Sequence, residues 1–281
     1  MPTYGMAIDL DRCTGCYNCQ IACKDEHVYN EFPPIATSQP IFGHFWMRVD
    51  EKELVFDSSH IKVAYTPTLC QHCEDPKCVK AAKDGAVYQR PDGIVIIDPV
   101  KAKGQKQLVD ACPYGAIYWN EEKNLAQKCT FCAHLVDDGW QETRCVQSCP
   151  MSCMYFGDIS DPNSKISKFL AGKNAEALHP DYGTKPKVSY IGLPKPNLAG
   201  TVRFGDLKEC AKNVKVTLKG PDGKTVETLT DGFGDFSFKG VTKGKQQISF
   251  AIDGYKDQSK SFEITEDITD LGEISLAKAG K

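Results

Sequence analysis

Cysteine is the residue type through which this sequence is best equipped to do chemistry. The chain has 281 residues and 14 cysteines, and all but Cys210 lie before residue 154. Most of them stand two or three residues apart, a spacing that suits metal coordination by thiolates better than disulfides that close long loops. The cysteines therefore predict metal centres, and a disulfide framework fits them poorly.

The first cysteine group has the spacing of a bacterial ferredoxin run, Cys13-x2-Cys16-x2-Cys19-x3-Cys23. In such a run three closely spaced thiolates bind one [4Fe–4S] cube, and the fourth cysteine binds a second cube. Zinc is the alternative metal, but zinc sites use paired C-x2-C units and not a C-x2-C-x2-C triplet. The run therefore favours iron–sulfur clusters.

Three further groups follow the same logic. They are Cys70-x2-Cys73-x4-Cys78, then Cys112-Pro113, and then Cys129-x2-Cys132-x12-Cys145-x3-Cys149-Pro150. Because the last cysteine of one run serves the cube of the partner run, groups one and four pair, and so do groups two and three. The predicted ligand sets are Cys13, Cys16, Cys19 and Cys149 for cluster 1; Cys23, Cys129, Cys132 and Cys145 for cluster 2; and Cys70, Cys73, Cys78 and Cys112 for cluster 3.

The same exchange rule defines a fourth cage whose ligands are all missing. Its positions hold Ala82, Ala102, Gln105 and Leu108. One whole site has been lost while three complete sets remain, and this favours the assignment of twelve cysteines to three clusters. Cys153 and Cys210 are left over, and we predict that both are small buried thiols.

A repeated unit is predicted to position the second and third groups. After Cys78, the segments 86–89 and 94–98 flank a turn at Arg90-Pro-Asp-Gly93, and after Cys112 the segments 116–120 and 125–128 flank a turn at 121–124. Each pattern predicts a β-hairpin that follows a cysteine. The repetition is typical of an internally duplicated ferredoxin fold.

The chain divides into regions of different composition. Residues 1–157 carry the cysteine groups, residues 158–197 form a predicted connector with a helix over Asn163–Leu178, and residues 198–281 alternate apolar and polar positions between turns. The last pattern predicts an antiparallel β-sandwich. The predicted fold class is α+β, a duplicated ferredoxin-like [4Fe–4S] domain followed by that transthyretin-like or immunoglobulin-like sandwich.

Composition and missing motifs exclude several classes of function. The net charge is −3 and no apolar run approaches about 20 residues, so nucleic-acid binding and bilayer insertion are not indicated. No signal peptide, dinucleotide fingerprint or P-loop is present, and we predict no catalytic residue. We expect a cytoplasmic protein, with export bound to a signal-bearing partner left open. His72 and His134 are expected to be loop or surface histidines and not donors to cluster sulfur.

Three phrases identify a family resemblance: Cys70-Gln-His-Cys-Glu-Asp-Pro-Lys-Cys78, Cys112-Pro-Tyr-Gly-Ala and Gln127-Lys-Cys-Thr-Phe-Cys132. With them the chain resembles the iron–sulfur subunits of the dimethyl sulfoxide reductase family of molybdenum and tungsten enzymes. The resemblance implies a heterodimer whose large catalytic subunit holds molybdenum or tungsten on two molybdopterin guanine dinucleotides. It also implies that cluster 1 lies nearest that cofactor, and that the missing cube separates clusters 2 and 3 and so interrupts the electron path.

The vacant cage and the C-terminal β region favour members of this family that move hydroxyl groups between polyhydroxylated aromatics such as pyrogallol. The chain would then be a non-catalytic electron-transfer subunit. One alternative is the electron-transfer subunit of a respiratory reductase for arsenate, polysulfide or a similar acceptor. A zinc-stabilised binding module is the alternative from another class of function.

Overall fold

This computed structural model describes residues 1–57, 60–265 and 268–279. The chain forms two compact units, the first made of Met1–Glu51 and Tyr65–Leu193, the second of Lys52–Ala64 and Pro194–Lys281. Within the described residues, no helix has the length and apolar character that a bilayer crossing requires.

Short helices and strands make up the chain as far as residue 191. In chain order they are β1 (Tyr4–Asp9), α1 (Asn18–His27), β2 (Met47–Asp57), β3 (His60–Leu69), α2 (Lys77–Ala81), β4 (Val87–Gln89), β5 (Val95–Ile97), α3 (Gln107–Asp110), β6 (Tyr118–Asn120), β7 (Leu125–Gln127), α4 (Ala133–Asp137), α5 (Arg144–Gln147), β8 (Met154–Asp158), α6 (Lys165–Leu170), a 3-10 helix (Pro180–Tyr182) and β9 (Val188–Ile191). The cysteine groups fall within the short helices or in the loops beside them.

A three-stranded sheet in the order β8-β1-β9 runs through the first unit, with β1 antiparallel to β8 and parallel to β9. The predicted connector over residues 158–197 thus contributes a strand to the first unit. The helix predicted over Asn163–Leu178 is present only at Lys165–Leu170. Gly172, with φ of 74°, follows its last turn, and glycine in this left-handed conformation commonly ends a helix.

The two hairpins predicted after Cys78 and Cys112 are confirmed. Val87–Gln89 pairs with Val95–Ile97, and Tyr118–Asn120 pairs with Leu125–Gln127, each antiparallel. A short helix precedes each hairpin, α2 the first and α3 the second. The helix–hairpin unit therefore occurs twice, and buried apolar side chains of both copies share one core.

The second unit contains two sheets around one apolar core. Its strands after residue 194 are β10 (Asn197–Phe204), β11 (Lys215–Lys219), β12 (Thr225–Leu229), β13 (Asp235–Phe238), β14 (Gly244–Ala251), β15 (Gln258–Ile264) and β16 (Ile268–Leu276). The sheet orders are β13-β10-β16 and β12-β11-β14-β15. Val202, Val216 and Phe250 are buried between them.

The prediction of a wholly antiparallel arrangement is wrong in one place, because β10 and β16 run parallel. The alternation of apolar and polar residues has a period of two in either kind of pairing, so the sequence pattern carries no information on strand direction. The likeness to a transthyretin or immunoglobulin fold stays a prediction.

Candidate iron–sulfur centres

Three loops of the same shape carry the C-x2-C pairs. In each loop the residue just before the second cysteine is left-handed, with φ of 66° at Gly15, 41° at His72 and 52° at Phe131. At Gly15 a side chain would also collide with the ring of Tyr65. Left-handed residues in tight turns aim successive backbone N–H groups at one point, which favours an anion there. The loops therefore suit negatively charged clusters.

The cluster 1 ligand set lies around the start of α1 and the end of α5. Burial, together with the nearby thiols of Cys145 and Cys13, raises the pKa of the Cys19 thiol to about 12. The Cys149 thiol contributes in the same direction. Cys16 is exposed, so this set reaches the surface of the first unit. Cys13, Cys19 and Cys149 therefore lie close together.

Cys153, one of the two cysteines without an assigned cluster, lies against this set. It is buried, as predicted, and its Sγ is 3.4 Å from Sγ of Cys149. Its thiol also hydrogen-bonds to Cys13, which lowers the pKa of Cys13 to about 6 and raises that of Cys153. Cys153 thus contacts two predicted ligands, a position that its spacing in the sequence did not indicate.

The cluster 2 ligand set is the most deeply buried. Burial raises the pKa of Cys23 well above its usual range, and the charges of Cys129, Cys132 and Cys145 add to that effect. The Met47 backbone N–H donates to the Cys23 thiolate and opposes it. All four cysteines therefore lie in one buried region, although they come from α1 and from the segment 129–145.

The cluster 3 ligand set surrounds a cavity between α2 and the segment that follows α3. Burial raises the pKa of Cys78 to about 12, with further contributions from Cys70, Cys112 and Cys73. The cavity is also lined by Ile117, Tyr114 and Lys128. The backbone N–H of Ala116 points at Cys112 Sγ, 3.5 Å away.

The predicted ligand sets of clusters 2 and 3 adjoin each other, so the gap expected between these sets is not found. After burial, the largest influence that raises the pKa of Cys129 is the charge of Cys70, a cysteine of the cluster 3 set. The rings of His72 and Phe131, which lie inside the two C-x2-C loops, stack with their centroids 3.7 Å apart. The expectation failed because the exchange rule assigns ligands to cages but does not order the cages in space.

The vacated cage, defined as Ala82, Ala102, Gln105 and Leu108, is filled by its own side chains. Ala102 and Leu108 are fully buried in the core that the two hairpins share. Gln105 Oε1 accepts from the Lys83 backbone N–H at 2.9 Å, and its Nε2 donates to the Lys101 carbonyl at 3.0 Å. The amide thus ties together two segments that a cube would otherwise join.

Three other side chains lie where the sequence did not predict them. His72 is fully buried, not surface-exposed, and its Nδ1 accepts from the Val95 backbone N–H at 3.0 Å. His134 is nearly buried, with Nε2 3.0 Å from Glu26 Oε1. Cys210 is exposed, which contradicts the predicted buried thiol, because it lies at an isolated β-bridge outside the core strands.

Lys128 is the residue near these cysteines that the sequence reasoning missed. Its side chain is 2% exposed, and its Nζ donates to the carbonyls of Val95 and Cys129, the latter at 3.0 Å. The sequence shows only that Lys128 directly precedes Cys129, and its burial follows from the tertiary structure.

The donor groups fit iron–sulfur clusters. In the cluster 2 set the other three thiols raise the pKa of Cys23, and in the cluster 3 set the other three raise that of Cys78. Backbone N–H groups also point at the sulfurs of Cys112 and Cys129. Clusters of this kind require four thiolates and are tuned by such N–H donors. The assignment of individual cysteines to the three clusters stays a prediction.

Comparison with known proteins agrees with this chemistry. Residues 61–159 match the family model described as a 4Fe-4S dicluster domain. The chain is 40% identical to the pyrogallol hydroxytransferase small subunit of Pelobacter acidigallici over 98% of this chain and 100% of that one. It is 36% identical to the iron–sulfur subunit of a putative dimethyl sulfoxide reductase of Halobacterium salinarum (68% and 79% covered). It is 37% identical to a tetrathionate reductase subunit of Salmonella typhimurium (68% and 72% covered).

Proposed function

The chain belongs to the iron–sulfur subunits of the dimethyl sulfoxide reductase family, and we propose that it carries three [4Fe–4S] clusters for a large molybdopterin subunit that acts on polyhydroxylated phenols. Electron transfer is its role, since the related chains are iron–sulfur subunits of molybdopterin oxidoreductases. The large subunit would hold molybdenum or tungsten on two molybdopterin guanine dinucleotides and carry out the reaction on the substrate. We place the complex in the cytoplasm.

The observation that carries the cluster count is the grouping of the thiols. All four thiols are linked in the cluster 2 and cluster 3 sets, and Cys13, Cys19 and Cys149 are linked in the cluster 1 set. The sets come from segments far apart in the chain, such as Cys23 with Cys129. The vacated cage supports a count of three and not four, because its four side chains fill it.

The order of the sets supports one continuous electron path that ends inside the first unit. Cys19 of the cluster 1 set is influenced by Cys145 of the cluster 2 set, and Cys129 of the cluster 2 set by Cys70 of the cluster 3 set. Beyond the cluster 3 set lies the filled cage. Such a path suits a reaction that moves a hydroxyl from one phenol to another, because this exchange needs no net flow of electrons to the outside.

We propose that the large subunit docks at the cluster 1 end. Cys16 is exposed there, and Ile21 on α1 is 59% exposed. Phe42 is 86% exposed in a loop that Lys24 of α1 holds through hydrogen bonds to the carbonyls of Pro40 and Gly43. Large apolar side chains exposed together are typical of interaction surfaces.

The deciding experiment is anaerobic purification of the complex from its native host. We expect a co-purifying large chain with molybdenum or tungsten, about twelve irons per copy of this chain, four for each of three clusters, and activity with pyrogallol and related phenols. Protein with stoichiometric zinc and no iron would instead support the binding-module alternative.

A pair of substitutions tests the docking surface. Phe42→Glu is expected to release the large subunit on gel filtration, because it places a charge in an apolar interface. Val100→Glu is the matched control, since Val100 is 77% exposed but lies near the vacated cage and away from Cys16 in the chain. Equal retention of the large subunit by both variants would contradict docking at this end.

The second candidate is a subunit of a respiratory reductase, which the likeness to a tetrathionate reductase subunit favours. That function requires electrons to enter from outside. Reduction of an inorganic acceptor by the purified complex with an artificial electron donor, together with no turnover of phenols, would replace the first proposal with this one.

A further inference from the structure

We propose that the buried ammonium of Lys128 raises the reduction potential of the cluster 3 cube. The inference rests on the proposed cluster 3 ligand set. It concerns Lys128 itself, which belongs to none of the predicted ligand sets.

The position of the side chain assigns Lys128 to cluster 3 and not to cluster 2. In the sequence Lys128 directly precedes Cys129, a cluster 2 ligand. In the structure its side chain lines the cavity that Cys70, Cys73, Cys78 and Cys112 surround. Its charge lowers the pKa of the Cys78 and Cys112 thiols, so it acts on two cluster 3 ligands directly.

The charge has no carboxylate partner. Lys128 is 2% exposed, and across residues 1–57, 60–265 and 268–279 no Asp or Glu forms an ion pair with it. Its Nζ has only carbonyl oxygens as partners, those of Val95 and Cys129. A buried charge without a counter-charge is strongly unfavourable, so an anion beside it is expected.

A cluster bound by four thiolates supplies that anion, and its reduction adds one more negative charge. A cation a short distance away in an apolar core therefore stabilises the reduced form more than the oxidised form. Val95 and Ile117, both buried, line the same cavity and keep water away from this interaction.

Two other lysines near the cavity provide a graded comparison. Lys187 is half-buried, and its Nζ donates to the His72 carbonyl at 3.3 Å. Lys77 lines the cavity but is exposed to solvent. Because water screens exposed charges, the three lysines are expected to act in the order Lys128, Lys187, Lys77.

The test is a redox titration of the anaerobic complex, followed by electron paramagnetic resonance, in variants with known iron content. Lys128→Gln keeps donors for the two carbonyls but removes the charge. It is expected to lower the ratio of reduced to oxidised cluster at least about tenfold for one of three redox transitions, equivalent to about 59 mV for a one-electron couple. Lys128→Arg, which keeps the charge, and Lys77→Met are expected to leave all transitions within about twofold.

Two results would overturn the inference with about twelve irons still bound: no transition moves in Lys128→Gln, or Lys128→Arg moves one as far as Lys128→Gln does. If Lys128→Gln loses iron, the same redox titration of Lys187→Met decides whether a half-buried lysine charge acts on the cluster. A smaller shift in the same direction supports the electrostatic effect, and no shift rejects it. Fewer than about twelve irons in the unmodified complex would instead refute the proposed cluster sets.

Discussion

The cluster 3 cage and the vacated cage are built by the same repeated unit, but they are filled by different side chains. In the cluster 3 cage, α2 supplies Cys78 and the segment after α3 supplies Cys112. In the vacated cage the roles are exchanged, since α3 supplies Leu108 and the segment after α2 supplies Ala82. The backbone is kept in both copies, while one is arranged around thiols and the other around a leucine and an amide.

A cluster cage can therefore be replaced by ordinary side-chain packing when all four ligands change together. Gln105 joins the two segments of the cage through hydrogen bonds to the backbone of Lys83 and Lys101. The buried side chain of Leu108 fills the interior of the cage. A single remaining cysteine in this cage would be a buried thiol without a cluster, and none is present.

The largest effect is expected from Cys112→Ala in the cluster 3 cage. Loss of one ligand should remove this cube and lower the iron content from about twelve to about eight, because each cube needs four thiolates. Metal binding and folding are coupled, so the variant should also unfold at a lower temperature. Iron analysis under anaerobic conditions checks the first result, and an iron content unchanged from the parent would refute the assignment of Cys112.

Leu108→Ala is expected to cost about 2–5 kcal/mol of unfolding free energy, because it leaves a cavity in a fully buried site. Iron content should stay unchanged, in contrast to Cys112→Ala. Anaerobic denaturant unfolding measures the cost. Val100→Ala is the control at an exposed position, with an effect within about 0.5 kcal/mol. A similar cost for both variants would mean that the vacated cage is not a packed core.

Gln105→Ala is expected to cost less, about 1–3 kcal/mol, because it leaves the Lys83 and Lys101 backbone groups without their partner. The measurement is the same denaturant unfolding, with iron analysis alongside. Gln107→Ala is the matched control, since Gln107 is exposed and its amide meets the Gln105 side chain at a long 3.3 Å. Loss of iron in Gln105→Ala would show that the amide also supports the neighbouring cluster 3 cage.

The smallest effect is expected from Cys210→Ser. Cys210 is exposed in the second unit, so iron content should not change and stability should stay within about 0.5 kcal/mol. The variant separates thiols that hold clusters from thiols that do not. A drop in iron would mean that the second unit contributes a ligand after all.

Local spacing was enough to predict both hairpins, because each depends on residues close together in the chain. The ligand sets follow from spacing and the exchange rule alone, and they stay a prediction. The strands indicated by the alternation of apolar and polar residues over 198–281 are also present, as β10 to β16. Long-range features were missed. The parallel pairing of β10 with β16 and the exposure of Cys210 depend on contacts that no local pattern encodes. The early end of α6 had a local signal in Gly172, which the prediction overlooked.

The sequence by itself determined which atoms can bind iron, since cysteine type and spacing are properties of the chain. Only the tertiary structure decided which sets adjoin and which charges they face. Lys128 illustrates the difference, because it precedes a cluster 2 ligand in the chain but lines the cluster 3 cavity. Electrostatic effects depend on distance and burial in space, and neither follows from the order of residues.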